Sequence, residues 1–470
     1  MVWSTAESGT HEANLDGAET VYRKTALAFA AHNREHWRLH TICRFSFGPA
    51  YTGTKDPESA LRRAWKALRL EFPGMIVKPV DPFKKQYQSP DVETTEAWLS
   101  QTFVVETKRT ADEIIAEPVP LQEVPSLHYL PATSEIIFLI SHWRIDAMGS
   151  WMMTERFFDL LAHPSADPLP NTPPSTEFER ISPSFEDAAG SPQIATREME
   201  QFATEHIARF HKNAIHMGGL PYQGDMTTPP GSPAREKIAF TPATTENLLL
   251  ECRQRGITVT AAIHAALAEA VFALGLPESK QNDYVTVMPV NFRPNLASQY
   301  NTAAHALQTY AGSITPRVAR HSTFAERTVY LTSFYKERYD PRLFEALRPL
   351  YKRHAEALFK PRPPPANGAS NGEPLPPPKP PSGVSLNSLG IVEKFFKGDY
   401  GDALSVPDFT FGVSMITRQT MLYVWTWKGH LTLSTEYNAA YHNADEVQEV
   451  MRFIKDVLER ELKLDMKLAS

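Results

Sequence analysis

Along the first third of the chain, apolar residues occur at helical spacing in some segments and in short continuous runs in others. This pattern predicts a mixture of helices and strands. Residues 57–74 carry apolar side chains at helical spacing and end in a Pro-Gly pair. An unbroken apolar run at 134–141 predicts a buried strand, and shorter runs predict strands at 75–80 and 102–106. Apolar positions after residue 146 fall on one face, which predicts a helix there.

The second half of the chain repeats this mixture after a break. Residues 162–194 are rich in proline, serine, threonine and aspartate, which predicts a long connection. An alanine-rich segment at 256–275 is apolar on most faces and predicts a buried helix, and 283–294 predicts a strand that ends in a polar turn. Three strands are predicted over 405–438, followed by an amphipathic helix at 444–462.

Together these elements predict an α/β protein with two lobes. A chain of 470 residues is too long for one small core. We place an amino-terminal lobe at 1–180, a crossover connection at 181–235 and a carboxyl-terminal lobe at 236–470. The low-complexity, proline-rich segment 360–383 is predicted to be a surface loop of the second lobe.

Composition narrows the classes of function. The formal net charge of −6 gives no global electrostatic reason to bind nucleic acid. No apolar run approaches the ~20 residues that span a bilayer. Cys43 and Cys252 are the two cysteines, which excludes a disulfide framework and a cysteine-type metal site. The start of the chain is unlike a signal peptide. We therefore expect a cytoplasmic protein with no membrane and no metal.

The most informative chemical signal is the segment from His142 to Asp146, HWRID, at the end of the strongest predicted strand. A strand end fixes a histidine where a general base can face a cavity, and the aspartate can cap the next helix. The same spacing recurs at His163 and Asp167 in a polar connection, so spacing alone decides nothing. A core histidine and an ordinary helix cap are the alternative interpretations.

Two distant segments add weight to this signal. VNFR supplies Asn291 and Arg293 at the end of a predicted strand, and DFTFG supplies Asp408 and Gly412. The ordered set HxxxD, VNxR and DFxxG resembles the acyl-CoA-dependent acyltransferases of the BAHD superfamily. These enzymes share a two-lobed fold with chloramphenicol acetyltransferase and with nonribosomal-peptide condensation domains. The resemblance covers nearly the whole chain and is nearest to the fungal trichothecene 15-O-acetyltransferase branch.

The resemblance implies a role for each motif residue. His142 would be the general base that deprotonates a hydroxyl for attack on an acyl-CoA thioester. Asp146 would pair with an arginine, for which Arg293 of VNFR is the matching position, and would hold the base in place without transferring a proton. The positions expected to support the site are Asn291, Arg293, Asp408 and Gly412. The implied co-substrate is acetyl-CoA or another acyl-CoA, with no permanently bound cofactor, and the implied partner is a small-molecule alcohol.

Departures from related patterns shape the final prediction. Condensation domains carry HHxxxDG, whereas Ser141 and Ala147 stand at the flanking positions here. The plant-type motif DFGWG is replaced by DFTFG, which leaves the residues that contact CoA open. We predict a monomeric O-acetyltransferase that acts on a hydroxyl of a secondary metabolite such as a trichothecene-type sesquiterpenoid. N-acylation, carrier-protein-dependent condensation and a non-catalytic metabolite-binding protein stay open as alternatives.

Overall fold

The computed structural model contains two mixed α/β lobes, each built on its own principal sheet. It describes residues 3–7, 9–54, 56–118, 123–164, 174–214, 218–277, 279–337, 340–359 and 381–469. The predicted proline-rich loop at 360–383 therefore lies almost wholly outside the described residues. The predicted lobe boundaries and the monomeric state stay predictions.

The strands and helices run through the chain in the following order. The strands are β1 (Ser4–Glu7), β2 (Thr10–Asn14), β3 (Leu39–Phe47), β4 (Lys78–Pro79), β5 (Lys84–Gln88), β6 (Phe103–Val105), β7 (Ser126–Leu130), β8 (Glu135–Ile140), β9 (Pro233–Ala239), β10 (Tyr284–Val285), β11 (Met288–Asn291), β12 (Ala311–Ile314), β13 (Arg317–Val318), β14 (Val384–Ile391), β15 (Leu404–Val413), β16 (Thr420–Trp427) and β17 (His430–Asn438). The helices are α1 (Gly17–Leu27), α2 (Pro57–Glu71), α3 (Val92–Thr102), α4 (Ala111–Ala116), α5 (Ala147–Ala162), α6 (Phe185–Ala188), α7 (Arg197–Ala214), α8 (Pro242–Gln254), α9 (Val259–Leu274), α10 (Phe324–Lys336), α11 (Arg342–Glu345), α12 (Leu347–Phe359) and α13 (Ala444–Leu462).

The first lobe is built on a five-stranded sheet in the order β15-β3-β8-β7-β6. Strand β8 is almost entirely buried, which confirms the predicted strand at 134–141. Strand β6 confirms the prediction at 102–106, and helices α2 and α5 confirm the two predicted helices. Both helices pack on this sheet and share one apolar core with it, which includes Trp65, Phe138, Trp151 and Phe158.

The second lobe is built on a four-stranded sheet in the order β14-β16-β17-β9, with α9 and α13 packed on it. Helix α9 is buried along most of its length, as its apolar pattern predicts. Helix α13 has the predicted bounds, 444–462. It begins at a capping box, in which Asn443 and Glu446 satisfy the free amides of the first turn.

One strand crosses from the second half of the chain into the first lobe. Of the three strands predicted at 405–438, β16 and β17 pair with each other, whereas β15 pairs antiparallel with β3. The first lobe therefore takes its edge strand from residues far along the chain. Alternation along a segment indicates which side chains are buried but carries no information about which sheet the strand joins.

Two of the strand predictions need correction. The segment 75–80 forms a turn of 3₁₀ helix over Pro73–Ile76 and only the two-residue strand β4. The segment 283–294 forms two short strands in separate two-stranded sheets, β10 with β13 and β11 with β12. Pro289 in β11 has no amide hydrogen to donate, so this strand suits a sheet edge.

The described residues also bear on metals and membranes. Within the ranges given above, no group of three or more histidine, cysteine, aspartate or glutamate side chains is arranged to hold a metal ion. No single described helix has the length and apolar composition needed to cross a membrane. Helices α8 and α9 meet those criteria only as a pair, and they are bent by 97° at the break between them.

Candidate active site

His142 lies just beyond the end of β8, in the turn that leads to α5. Its imidazole is half-buried and stacks on the ring of Tyr22, with a centroid separation of 4.6 Å and an interplanar angle of 26°. Trp37 packs at 6.2 Å from the same ring. The backbone carbonyl of His142 accepts a hydrogen bond of 2.5 Å from the Thr309 hydroxyl. The strand, two aromatic rings and a segment of the second half of the chain thus fix the imidazole in place.

Two cavities of about 520 and 340 Å³ meet at His142. The larger is lined by Lys336 and Lys394, and we call it the lysine chamber. The smaller is lined by Tyr22 and Trp37 together with other aromatic side chains, and we call it the aromatic chamber. Both chambers share the lining residues His142, Pro289, Ala311, Asn387, Val413 and Tyr423. The imidazole therefore lies at the junction of two spaces, each large enough for part of a substrate.

The surroundings of His142 favour its uncharged form. Burial lowers the pKa of the imidazole, while its own carbonyl, the Asp146 carboxylate and the Ile145 carbonyl act in the opposite direction. The Nδ1 atom is buried and has no hydrogen-bond partner among the described residues. Nε2 is thus left as the ring nitrogen that faces the chambers. A neutral imidazole in this position can accept a proton near neutral pH.

Asp146 is both a helix cap and one partner of a buried ion pair. Its Oδ1 accepts a hydrogen bond of 2.7 Å from the Gly149 amide, which caps α5. Its Oδ2 accepts a hydrogen bond of 2.8 Å from the Tyr310 amide and lies 3.1 Å from Nη2 of Arg293. All four of these groups are buried or nearly so. The carboxylate points into this network, so His142 is the residue of the motif that presents a titratable group to both chambers.

Arg293 binds the segment 305–310 as well as Asp146. Its side chain is fully buried and donates to the backbone carbonyls of His305, Ala306 and Gln308, at 2.9, 3.3 and 2.8 Å. Asn291 accepts a hydrogen bond of 3.0 Å from the Arg293 amide and also lines the lysine chamber. The guanidinium fork therefore satisfies carbonyls that would otherwise be buried without a donor.

Gly149 allows Arg293 and the segment 305–310 to pack close against α5. A Cβ atom at this position would lie 2.2 Å from the Ala306 carbonyl oxygen and 2.8 Å from Nη2 of Arg293. Any larger side chain would push the arginine and the segment 305–310 away from α5. The glycine three residues after Asp146 is thus a packing requirement of the ion pair.

Asp408 and Gly412 occupy two different environments within β15. The Asp408 side chain is 44% exposed, lies 3.8 Å from Arg44 on β3, and lines neither chamber. Gly412 is buried against Glu436 of β17, where a Cβ would lie 1.9 Å from a carboxylate oxygen. Glu436 and His40 are both 1% exposed and 3.3 Å apart. The absence of a side chain at Gly412 therefore lets a buried pair form between a strand of each lobe.

Several residues around the imidazole are not predicted by any local pattern. Tyr22 lies on α1, and Trp37 has a left-handed backbone with a φ of 62°. Thr309 and Tyr310 lie in the segment that Arg293 organises. Phe411 and Val413 are the DFTFG-region side chains that line the lysine chamber. A positive φ at a bulky residue is a signal for a constrained site, but only coordinates reveal it.

Comparisons with known proteins identify relatives of this chain. The chain is 49% identical to the O-acetyltransferase PigM of Monascus ruber over 466 residues, which cover 99% of this chain and 88% of PigM. It is 36% identical to the azaphilone biosynthesis cluster protein M of Aspergillus terreus, over 97% of both chains. Its identity to the acetyltransferase PigO of Monascus ruber is 30%, over 98% of both chains. No family model matches the chain.

Solved structures show the same fold. The trichothecene 15-O-acetyltransferase TRI3 of Fusarium sporotrichioides superposes with a TM-score of 0.75 at 16% identity, over 97% of this chain and 96% of its own. A condensation domain of the calcium-dependent antibiotic synthetase superposes with a TM-score of 0.59 at 13% identity, over 98% and 99% of the two chains. These matches confirm the predicted chloramphenicol-acetyltransferase-like fold. The chain therefore belongs to the family of fungal O-acetyltransferases that includes PigM.

Proposed function

We propose that the protein transfers an acetyl group from acetyl-CoA to a hydroxyl of a polyketide-type secondary metabolite, with His142 as the general base. The observation that carries this proposal is the position of the imidazole where two chambers meet. Nε2 takes the proton of the acceptor hydroxyl while the oxygen attacks the thioester carbonyl. The protonated imidazole then returns that proton to the departing CoA thiolate. The thioester is already activated, so the transfer needs no covalent enzyme intermediate.

The lysine chamber suits the acyl-CoA. Lys336 and Lys394 can attract the phosphates of CoA, which carry several negative charges. The hydroxyls of Thr258, Thr260 and Ser388 line the same space and can bind the amide groups of a pantetheine arm. The aromatic chamber, whose lining includes Trp37 and Phe292, would then hold the acceptor. Each substrate reaches His142 from its own side.

Asp146 and Arg293 act as positioning residues in this proposal. Their ion pair holds α5 against the segment 305–310, from which Thr309 binds the backbone of the base. The pair keeps the imidazole in one orientation, and the proton never passes to Asp146. This role differs from that of a charge partner in direct contact with the base.

The relatives guide the choice of acceptor. The 36% identity to a protein of an azaphilone biosynthesis cluster supports an azaphilone-type alcohol. The similarity to TRI3 extends over 97% of this chain, and it makes a trichothecene-type sesquiterpenoid, and hence a mycotoxin, the second candidate. Ser141 and Ala147, which depart from the condensation-domain motif, favour transfer to an alcohol over peptide condensation.

A panel of acceptors tests the proposed function. Purified protein is incubated with acetyl-CoA and an azaphilone alcohol, a 15-hydroxy trichothecene, or a primary amine of similar size. We expect release of the CoA thiol and an acetyl ester of the azaphilone alcohol, identified by mass spectrometry. Faster acetylation of the amine would favour N-acylation instead. The absence of CoA release above the hydrolysis of acetyl-CoA alone, with every acceptor, would contradict the proposal.

The pH dependence of kcat/KM tests the protonation state of the base. Because burial lowers the pKa of His142 from its usual 6.5, kcat/KM should stay constant near neutral pH. It should fall only as the pH drops through the lowered pKa and the imidazole becomes protonated. In Asp146→Asn, loss of a carboxylate that raises this pKa should move the acid limb to still lower pH. Kinetics on the folded fraction measure the acid limb of the wild type and that of Asp146→Asn. A midpoint above pH 6.5 in the wild type would contradict the prediction.

A further inference from the structure

Two histidines line the aromatic chamber in the part that it does not share with the lysine chamber. His206 lies on α7 and His354 on α12, and neither helix contributes a residue to the lysine chamber. The two helices pack against each other, and the ring of Phe210 meets His354 edge-on at 6.0 Å. Both imidazoles are half-buried. Both lie outside the set of lining residues that the two chambers share, and His206 is near enough to His354 to lower its pKa.

Much of the remaining lining of this chamber is apolar and includes Phe210, Phe292, Leu343, Leu347 and Leu350. Tyr351 also lines it, and its ring centroid lies 6.3 Å from that of His354. In the described part of the chain, neither His206 nor His354 forms a hydrogen bond with another protein group. A molecule that fills the chamber excludes water from these two rings, and their burial then costs free energy unless that molecule supplies a hydrogen-bond partner.

Both imidazoles are uncharged near neutral pH. Burial lowers the pKa of His206, and the positive charge of Arg209 lowers it further. Burial lowers the pKa of His354 to about 4, with His211 and His206 acting in the same direction. A neutral imidazole offers one N–H donor and one bare nitrogen. Such a pair suits an uncharged oxygen of the ligand and supplies no positive charge to pair with a carboxylate or phosphate.

We propose that His206 and His354 form a neutral clamp for a ring carbonyl oxygen, so that the acceptor is a largely apolar, carbonyl-bearing alcohol. An sp² oxygen has two lone pairs and can accept from both rings at once. The volume of about 340 Å³ lies near the lower end of the ~300–1,000 Å³ of small-molecule sites. This inference rests on the proposed function, because it takes the aromatic chamber as the acceptor site. The acceptor is then held at one end by the clamp while its hydroxyl reaches His142.

A matched pair of alcohols tests the clamp. The probes are 6-(hydroxymethyl)-1-tetralone and 6-(hydroxymethyl)tetralin, which differ in the ring ketone. Dissociation constants are measured by calorimetry without acetyl-CoA, and kcat/KM is measured with it. We expect the wild type to bind the ketone roughly 5–10-fold more tightly, the size of one or two net hydrogen bonds. His354→Leu and His206→Leu should each reduce this preference to about twofold or less, whereas His354→Gln, which keeps a donor, should retain most of it.

Each outcome has one interpretation. The exposed His163 provides the control, because His163→Leu should leave the preference unchanged. An unchanged preference in both leucine variants would overturn the clamp, as would a wild type that binds neither alcohol or binds both equally. Two separate leucine variants guard against a folding defect in one of them, and thermal unfolding identifies such a defect. A ketone preference that depends on His354, without acetyl transfer to any alcohol, would support the clamp and contradict the proposed function.

Discussion

Replacement of His142 by alanine is expected to lower kcat for acetyl transfer by roughly 10²–10⁴-fold, the usual contribution of a positioned general base. The reason is that a hydroxyl is a poor nucleophile near neutral pH, and His142 presents Nε2 where the two chambers meet. The variant should fold normally, since the imidazole is half-buried and its structural link is the backbone bond to Thr309. Turnover of the acetyl ester, measured with saturating acetyl-CoA, gives the result.

The chain provides a matched control in its second HxxxD sequence. His163 is 59% exposed and pairs with Asp159, and Asp167 lies outside the described residues. His163→Ala should therefore keep wild-type kcat and stability. The acid limb of kcat/KM should also disappear in His142→Ala, because its titrating group is gone. Near-wild-type turnover in the folded His142→Ala variant would exclude this histidine as the base.

The sequence predicts the elements of the core better than their connections. The buried strand β8, the apolar helix α9 and the amphipathic helix α13 are set by local periodicity and caps, and each is where the pattern indicates. The crossing of β15 into the first lobe depends on contacts with β3 from a distant part of the chain. Hydrophobic periodicity reports burial, and it cannot report which strand is the neighbour.

The same distinction applies to the site. The motif predicts a contact between Asp146 and Arg293, and the structure places their side chains together. It does not predict Tyr22, Trp37 or Thr309, which reach His142 through tertiary packing. These three residues come from a helix, a turn and an irregular segment, so no shared spacing connects them. Geometry around a functional residue is thus the part of the molecule that local patterns reveal least.

The DFTFG segment illustrates why a motif residue need not lie at the site. Asp408 is near the surface and lines neither chamber, while Gly412 permits the buried pair of His40 and Glu436. Like Asp146 with Arg293, this pair joins residues far apart in the chain at buried positions. Two buried polar contacts therefore connect the parts of the protein that enclose the junction of the chambers.

Replacement of Arg293 by alanine should destabilise the protein by about 3–5 kcal/mol, the usual cost of removing one partner of a buried ion pair. The variant leaves the Asp146 carboxylate buried without its cation and deprives three carbonyls of segment 305–310 of their donor. We expect a lower midpoint of urea unfolding and a reduced soluble yield. In the fraction that folds, kcat should fall more than the KM for acetyl-CoA rises, because the base loses its orientation while the lysine chamber keeps its cations.

The surface pair of Arg44 and Asp408 provides the control for Arg293→Ala, because Arg44→Ala removes an arginine whose partner stays exposed to water. Both side chains are about half exposed and 3.8 Å apart, so Arg44→Ala should cost no more than about 1 kcal/mol. Arg293→Lys should recover part of the stability, because an ammonium can still neutralise Asp146 but lacks the fork that reaches the carbonyls.

Equal unfolding midpoints for Arg293→Ala and Arg44→Ala, with unchanged kinetics in both, would mean that the ion pair does not hold the base. A drop in stability alone, with wild-type kcat in the folded fraction, would leave Arg293 as a residue of the fold and remove it from the positioning of His142.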